Sequence, residues 1–170
     1  MLTRLRNNFY LAMISLVGLI ITLFVTPYGI YRLLSGNLVV GIAYLLIVLS
    51  SVIAVIYAWR TGDTVKPGLF MAIVFCVGAL LVCVNLGVDG LFWVYPFLVF
   101  IFFLVAPFRA FILLMLMLAT LFVIGSLYPQ MIFASRFQML AFFVTTSITS
   151  LFAFIFAYRA QVQRRELQRL

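Results

Sequence analysis

The sequence predicts an all-α polytopic membrane protein: a bundle of six transmembrane helices with both termini in the cytoplasm and a signalling helix at its C-terminal end. Three observations predict this class. Of the 170 residues, 68% are hydrophobic and only 8% are charged, whereas about a quarter of a soluble protein is charged. The few charges stand between apolar runs of about 20 residues, the length that crosses a bilayer. Gly and Pro, which are typical of turns, lie between the same runs.

Each of the six apolar runs is closed by Gly, Pro or charged residues. Pro27 and Gly29 end the first run, and Pro107 with Arg109 forms a tight turn between the fourth and the fifth. The fourth run is about 24 Å long if it is wholly helical, which is short for a span. We expect spans at about 9–26, 38–58, 68–86, 91–106, 110–128 and 137–158, so that residues 1–158 form one transmembrane domain.

The basic residues predict the orientation of the bundle. With six spans, both termini lie on one side, and that side carries nine of the 11 basic residues. Short cytoplasmic loops carry an excess of Lys and Arg, so we expect both termini in the cytoplasm. The nine residues are Arg4, Arg6, Arg60, Lys66, Arg109, Arg159, Arg164, Arg165 and Arg169, and the two on the outer side are Arg32 and Arg136.

The composition also excludes several kinds of site. The chain has no His, and its only acids, Asp63, Asp89 and Glu166, fall in three different loops or tails. We therefore expect no catalytic triad, carboxylate pair, metal or cofactor. Cys76 and Cys83 lie about two helical turns apart, too far for a disulfide. The net charge of +8 indicates topology rather than nucleic-acid binding, because the basic residues are scattered at helix ends.

Polar groups at the outer ends of the spans are the candidate ligand-sensing residues. Asn85 and Asp89 would share a face if the third helix continued through both. Asp89 is the only acid on the outer side, so we expect it to pair with Arg32 or Arg136. Two interpretations stay open: the pair fixes the loops, or it lines a shallow pocket with aromatic side chains. The candidates are Arg32, Asn85, Asp89, Trp93, Tyr95, Tyr128 and Arg136.

The tail predicts that the sixth helix continues into the cytoplasm. Residues 158–170 contain no Gly or Pro and are rich in helix formers. Positions 156, 160, 163, 167 and 170 follow the spacing of a coiled-coil seam over barely two heptads, and the alternative is an amphipathic juxtamembrane helix. The pattern stops unfinished, so we expect a further cytoplasmic domain to follow. Signal transmission is assigned to Arg159, Gln163, Leu167 and Leu170.

Several elements together resemble a known family. A polar turn leads into residues 90–97 (GLFWVYPF), the compact turn 107–109 (PFR) follows, and the last span ends in the basic run 158–167 (YRAQVQRREL). With six spans and an inner N-terminus, these elements resemble the membrane-embedded sensor regions of bacterial diguanylate cyclases. The resemblance implies a location in the bacterial inner membrane and a following GGDEF domain that makes cyclic di-GMP. The GGDEF signature is absent from these residues, so no cyclase active-site residue is assigned.

Three functions stay open. The first is a signal-input module that forms a homodimer through the sixth helix and responds to lipid order, to an apolar molecule or to a small outer-face ligand. Its output domain is a cyclase or, because histidine kinases share the same membrane plan, a kinase. The second is a six-span substrate-binding subunit of an uptake transporter, although no span carries the buried charges of an ion-coupled transporter. The third is a scaffold without a ligand.

Overall fold

The computed structural model describes Thr3 and residues 8–169, and residues 8–169 form eight helices and no strand. The all-α prediction is confirmed. Arg4, Arg6 and Leu170, which the sequence assigns to the topology and to the seam, lie outside the described residues. The helices are α1 (Phe9–Leu34), α2 (Leu38–Thr61), α3 (Val65–Leu86), α4 (Val88–Leu91), α5 (Val94–Leu104), α6 (Pro107–Leu127), α7 (Pro129–Ile132) and α8 (Arg136–Arg169).

Among the described residues, five helices are long and apolar enough to cross a bilayer, namely α1, α2, α3, α6 and α8. In place of the fourth expected span, at about 91–106, the structure has a shorter apolar segment, Val88–Leu104. It is also divided into α4 and α5. Even as one rod it would measure only about 25 Å, less than the hydrocarbon thickness of about 30 Å. The fold is therefore a helical membrane bundle with five helices of spanning length and one short, broken helix.

Helix α1 continues through Pro27, where the sequence predicts its end. As a result Arg32 lies in the last turn of α1 rather than in a loop. Proline is tolerated inside membrane helices where neighbouring helices support the freed backbone. Beyond the proline, α1 packs closely against α2, since a Cβ on Gly29 would come within 3.1 Å of the Cβ of Tyr44. Close contact between the two helices thus replaces the predicted turn.

Gly87 ends α3 and redirects the chain into α4. Its φ of 60° and ψ of −127° are readily adopted only by glycine. A continuous helix through Asn85 and Asp89, which would put both on one face, is therefore not formed. Asp89 instead lies in the first turn of α4, where a negative charge is favourable next to the backbone N–H groups.

Helices α3 and α5 form the centre of the bundle. α5 packs against α1, α3, α6 and α8, and α3 also contacts α2. Phe75 of α3 and Phe97 of α5 are both fully buried and stack with their ring centroids 5.2 Å apart. After α5 the chain turns sharply, as the sequence predicts, but the turn ends before Pro107, which begins α6 and places Arg109 in the helix rather than in the predicted turn.

Helix α8 is peripheral and packs mainly against α5 and α6. Its 34 residues continue without a break to Arg169, as the tail sequence predicts, and only Phe142, Thr146 and Ser150 are buried. The guanidinium of Arg164 lies over the ring of Phe9, so the start of α1 and the end of α8 meet. We call this the terminal end of the bundle, and the opposite end, with the α1–α2 turn, the distal end.

Candidate functional site

Four side chains at the distal end form what we call the distal cluster: Tyr28 and Arg32 of α1, Tyr44 of α2 and Trp93 just before α5. Each aromatic ring touches the other two, with centroids 5.3 Å apart for Tyr28 and Tyr44 and 5.2 Å for each pair with Trp93. Centroids 4.5–7 Å apart are favourable for aromatic pairs. The triangle therefore ties three separate helical elements together.

The distal cluster contains buried polar atoms without a partner. The guanidinium of Arg32 donates a 2.8 Å hydrogen bond to the hydroxyl of Tyr28 and lies 5.2 Å from the centroid of that ring. Among the residues described, however, Nε of Arg32 and the hydroxyl of Tyr44 are buried and have no hydrogen-bond partner. Unpaired buried polar groups are costly. A polar group placed against either atom would therefore gain a favourable hydrogen bond.

The expected ion pair between Asp89 and an arginine is wrong. In the described part of the chain neither Arg32 nor Arg136 lies within 4.0 Å of the Asp89 carboxylate. Arg32 is surrounded by tyrosines instead, and both Asp89 and Arg136 are exposed to the surroundings of the bundle. The Gly87 turn and the extension of α1 account for the difference. Because of them, Asp89 lies in the first turn of α4 and Arg32 in the last turn of α1, rather than both in loops.

Tyr95 connects the region of the distal cluster with α8. It lies two residues after Trp93, in the first turn of α5. A 2.6 Å hydrogen bond joins its hydroxyl to Oγ1 of Thr145, and its ring meets the edge of Phe142 at 6.0 Å. Both partners belong to α8, so one short helical turn contacts the distal cluster on one side and the long helix on the other.

The remaining candidate sensing residues stand apart from this cluster. Asn85 is exposed and donates to the carbonyl of Leu81 in its own helix. Tyr128 is exposed in the turn between α6 and α7, and Arg136 is the first residue of α8. Of the seven candidates, the structure thus brings together Arg32, Trp93 and, at its edge, Tyr95.

The sequence interpretation missed Tyr44 and Thr145. Tyr44 lies well inside an apolar run rather than at its end, which is an unusual depth for a phenol and a usable signal. Thr145 lies in the run 145–150 (TTSITS), where five of six residues carry a hydroxyl, and nothing in the sequence distinguishes it from the other four. It is distinguished only by the packing of α5 against α8.

The assigned transmission residues that the structure describes lie on the C-terminal part of α8. Arg159, Gln163 and Leu167 are all exposed. Nearby, Arg164 holds α8 against α1 through its contact with Phe9, 3.2 Å from guanidinium carbon to ring centroid. Of the seam positions that the structure describes, 156, 163 and 167 are therefore exposed, and Ala160 is half-buried.

Comparison of the chain with protein families, with curated proteins and with solved structures finds no match. The resemblance to cyclase sensor regions therefore stays a prediction. Among the residues described, no group of three His, Cys, Asp or Glu side chains is placed to hold a metal ion.

Two conservative variants compare the hydroxyl of Tyr28, which accepts a hydrogen bond, with the hydroxyl of Tyr44, which has no partner among the described residues. Tyr28→Phe removes the acceptor for Arg32 and should lower the free energy of unfolding by roughly 0.5–2 kcal/mol. Tyr44→Phe removes a buried hydroxyl without a partner and should leave stability unchanged or raise it. Unfolding of the purified protein in mixed micelles measures both. A larger loss for Tyr44→Phe than for Tyr28→Phe would show that the Tyr44 hydroxyl is paired.

Proposed function

We propose that the chain is a signal-input and dimerisation module of the bacterial inner membrane, which passes a stimulus through α8 to a cytoplasmic output domain, a diguanylate cyclase. The observation that carries this proposal is the length of α8. Its 34 residues measure about 51 Å, against about 30 Å for the hydrocarbon core. Because the last 12 residues, from Tyr158, are polar and basic, the helix extends as a rod into water.

The packing of α8 suits a helix that moves. Its buried stripe is narrow, and two of the three buried residues, Thr146 and Ser150, bond to carbonyls of α8 itself. Hydroxyls satisfied within their own helix do not hold it to a neighbour. A small rotation of α8 against α5 and α6 would therefore break few polar contacts. The hydrogen bond between Tyr95 and Thr145 is the exception, and it is placed to control that rotation.

We assign the input to the distal cluster. A ligand that binds the free polar atoms of Arg32 and Tyr44 would also touch Trp93, which is part of the same aromatic triangle. A shift of Trp93 moves the first turn of α5 and with it Tyr95. A ligand shifts an equilibrium between two positions of α8 only if it binds the protein more tightly in one of them. Contact with Trp93 would provide that difference in affinity.

Dimerisation places the tails of two copies side by side, because synthesis of cyclic di-GMP joins two GTP molecules held by two catalytic domains. The seam positions Phe156 and Leu167 are 70% and 71% exposed, so each can face a second α8. Gln163 is exposed between them. Apolar side chains at heptad spacing in a helix that leaves the membrane are typical of a short coiled coil.

Disulfide cross-linking in membranes tests the dimer. Single cysteines are placed along 152–167 in a variant that lacks Cys76 and Cys83. We expect the highest yields at 156, 163 and 167, and yields at least severalfold lower at 158 and 165, which lie on the opposite face of the heptad.

The cysteines at 163 and 165 form the matched pair, because both wild-type residues, Gln163 and Arg165, are exposed within one chain. Oxidation is carried out in native membranes, and yield is read as dimer on a non-reducing gel. Equal yields at 163 and 165, or no dimer at any position, would contradict dimerisation through this seam.

A further inference from the structure

Three cavities adjoin one another along one side of α8, between the middle of the bundle and its terminal end. The first is an apolar groove of about 360 Å³ between α5 and α8. Phe102, Phe103, Phe156 and Ala157 also line a constriction of about 30 Å³. Tyr10 and Gln161 then line both that constriction and a third cavity of about 190 Å³. The shared residues show that the three cavities lie next to one another, and we call them together the α5–α8 groove.

The two ends of the α5–α8 groove differ in chemistry. The wider end is lined by aromatic and small apolar residues, with a single hydroxyl from Thr149. The terminal end presents the guanidinium of Arg109, while Arg164 stands at the constriction. Tyr10, Thr64 and Gln161 add hydroxyl and amide donors there. An apolar cavity followed by two smaller cavities, each lined by one arginine, suits a molecule with an alkyl chain and an anionic head.

No acid lines any of the three cavities among the residues described. The nearest acid along the chain to Thr64 is Asp63. Its carboxylate accepts hydrogen bonds from the backbone N–H groups of Val65, at 3.0 Å, and Lys66, at 3.4 Å. That carboxylate is therefore engaged in capping α3. Arg109 and Arg164 are therefore not neutralised by an acid that lines these cavities, and the contact of Arg164 with the ring of Phe9 leaves its positive charge in place.

We propose that the α5–α8 groove binds an anionic phospholipid of the leaflet at the terminal end, with one acyl chain against α5 and α8 and the phosphate at Arg109 and Arg164. The wider cavity has the volume of a small-molecule site, about 300–1,000 Å³. Guanidiniums bind phosphate oxygens with two parallel hydrogen bonds, which a diffuse cationic surface does not offer. A zwitterionic headgroup carries its own cation and gains less from two arginines.

The occupant would touch α8 from Thr149, in its membrane-spanning part, to Arg164, in its basic tail. Binding of the lipid does not depend on the proposed signalling function, because the groove exists within a single chain. Failure of lipid binding and failure of signalling are thus separate results.

Native mass spectrometry of the detergent-purified protein tests the site, with dioleoyl phosphatidylglycerol and dioleoyl phosphatidylcholine as probes. We expect one phosphatidylglycerol to be retained with at least about tenfold higher affinity than phosphatidylcholine. The double variant Arg109→Gln/Arg164→Gln should lose that preference. The matched control Arg159→Gln/Arg165→Gln removes the same charge from exposed residues that do not line the groove, and should keep it.

A second variant tests the apolar part without changing charge. Ala153→Phe fills the wider cavity and should reduce retention of phosphatidylglycerol while both arginines remain. Thermal melting followed by circular dichroism confirms that each variant is folded. Equal retention of the two lipids by the wild type, or equal losses in the two double variants, would overturn the proposal.

Discussion

A cysteine at position 89 should react almost completely with a membrane-impermeant maleimide in intact cells, and a cysteine at position 63 should react only after the cells are permeabilised. The reason is the distribution of the basic residues, because the sequence assigns nine of them to the terminal end of the bundle and two to the distal end. Positive residues in short loops stay in the cytoplasm, and reversing such an orientation would move most of these charges across the membrane. The expected difference in labelling is therefore nearly all-or-none.

The background for this experiment replaces both native cysteines by alanine. Cys76 and Cys83 are buried in α3, so their own reaction is slow, but removing them makes the readout unambiguous. Asp89 is exposed and Asp63 is half-buried, so a cysteine at Lys66, which is exposed in the first turn of α3, serves as a second probe for the same side. Labelling of positions 63 and 66 in intact cells would reverse the proposed topology.

The sequence predicts the long helices and the tail because those features depend on local chemistry. Runs of apolar residues between charges predict six spans, of which five are helices of spanning length, and the predicted turn before α6 lies just ahead of Pro107, whose ring suits a first helical turn. The unbroken α8 follows from the absence of Gly and Pro between Arg136 and Arg169. These predictions need no knowledge of neighbouring helices.

The site could not be predicted in the same way, because it depends on which faces meet. The helices are apolar on nearly every side, so no amphipathic pattern marks the buried face. Whether Pro27 ends α1 depends on the close approach of α2 at Gly29, which is a tertiary contact. That one difference moves Arg32 from a loop to the distal cluster beside Tyr44. A prediction based on charge alone therefore pairs Arg32 with Asp89, whereas in the structure Arg32 donates to the hydroxyl of Tyr28.

In the proposed function, α8 transmits its rotation and translation to the output domain as a rigid rod. An α-helix turns about 100° per residue, so one inserted residue rotates everything beyond it by that angle. Seven residues return the face to within about 20° while lengthening the rod. If two tails must meet along the seam for two catalytic domains to face each other, activity should depend on the phase of the insertion and not on its length.

The measurement uses a fusion of residues 1–170 to the catalytic domain of a diguanylate cyclase, with one, two, three or seven alanines inserted after Arg159, and reads cyclic di-GMP in membranes. Seven glycines at the same point give a matched control, because the length is equal but the helix is broken. We predict that one to three alanines lock activity severalfold above or below the parent, that seven alanines restore it, and that seven glycines do not. A smooth decline with insert length, the same for alanine and glycine, would show that the tail is a flexible tether and would contradict the account.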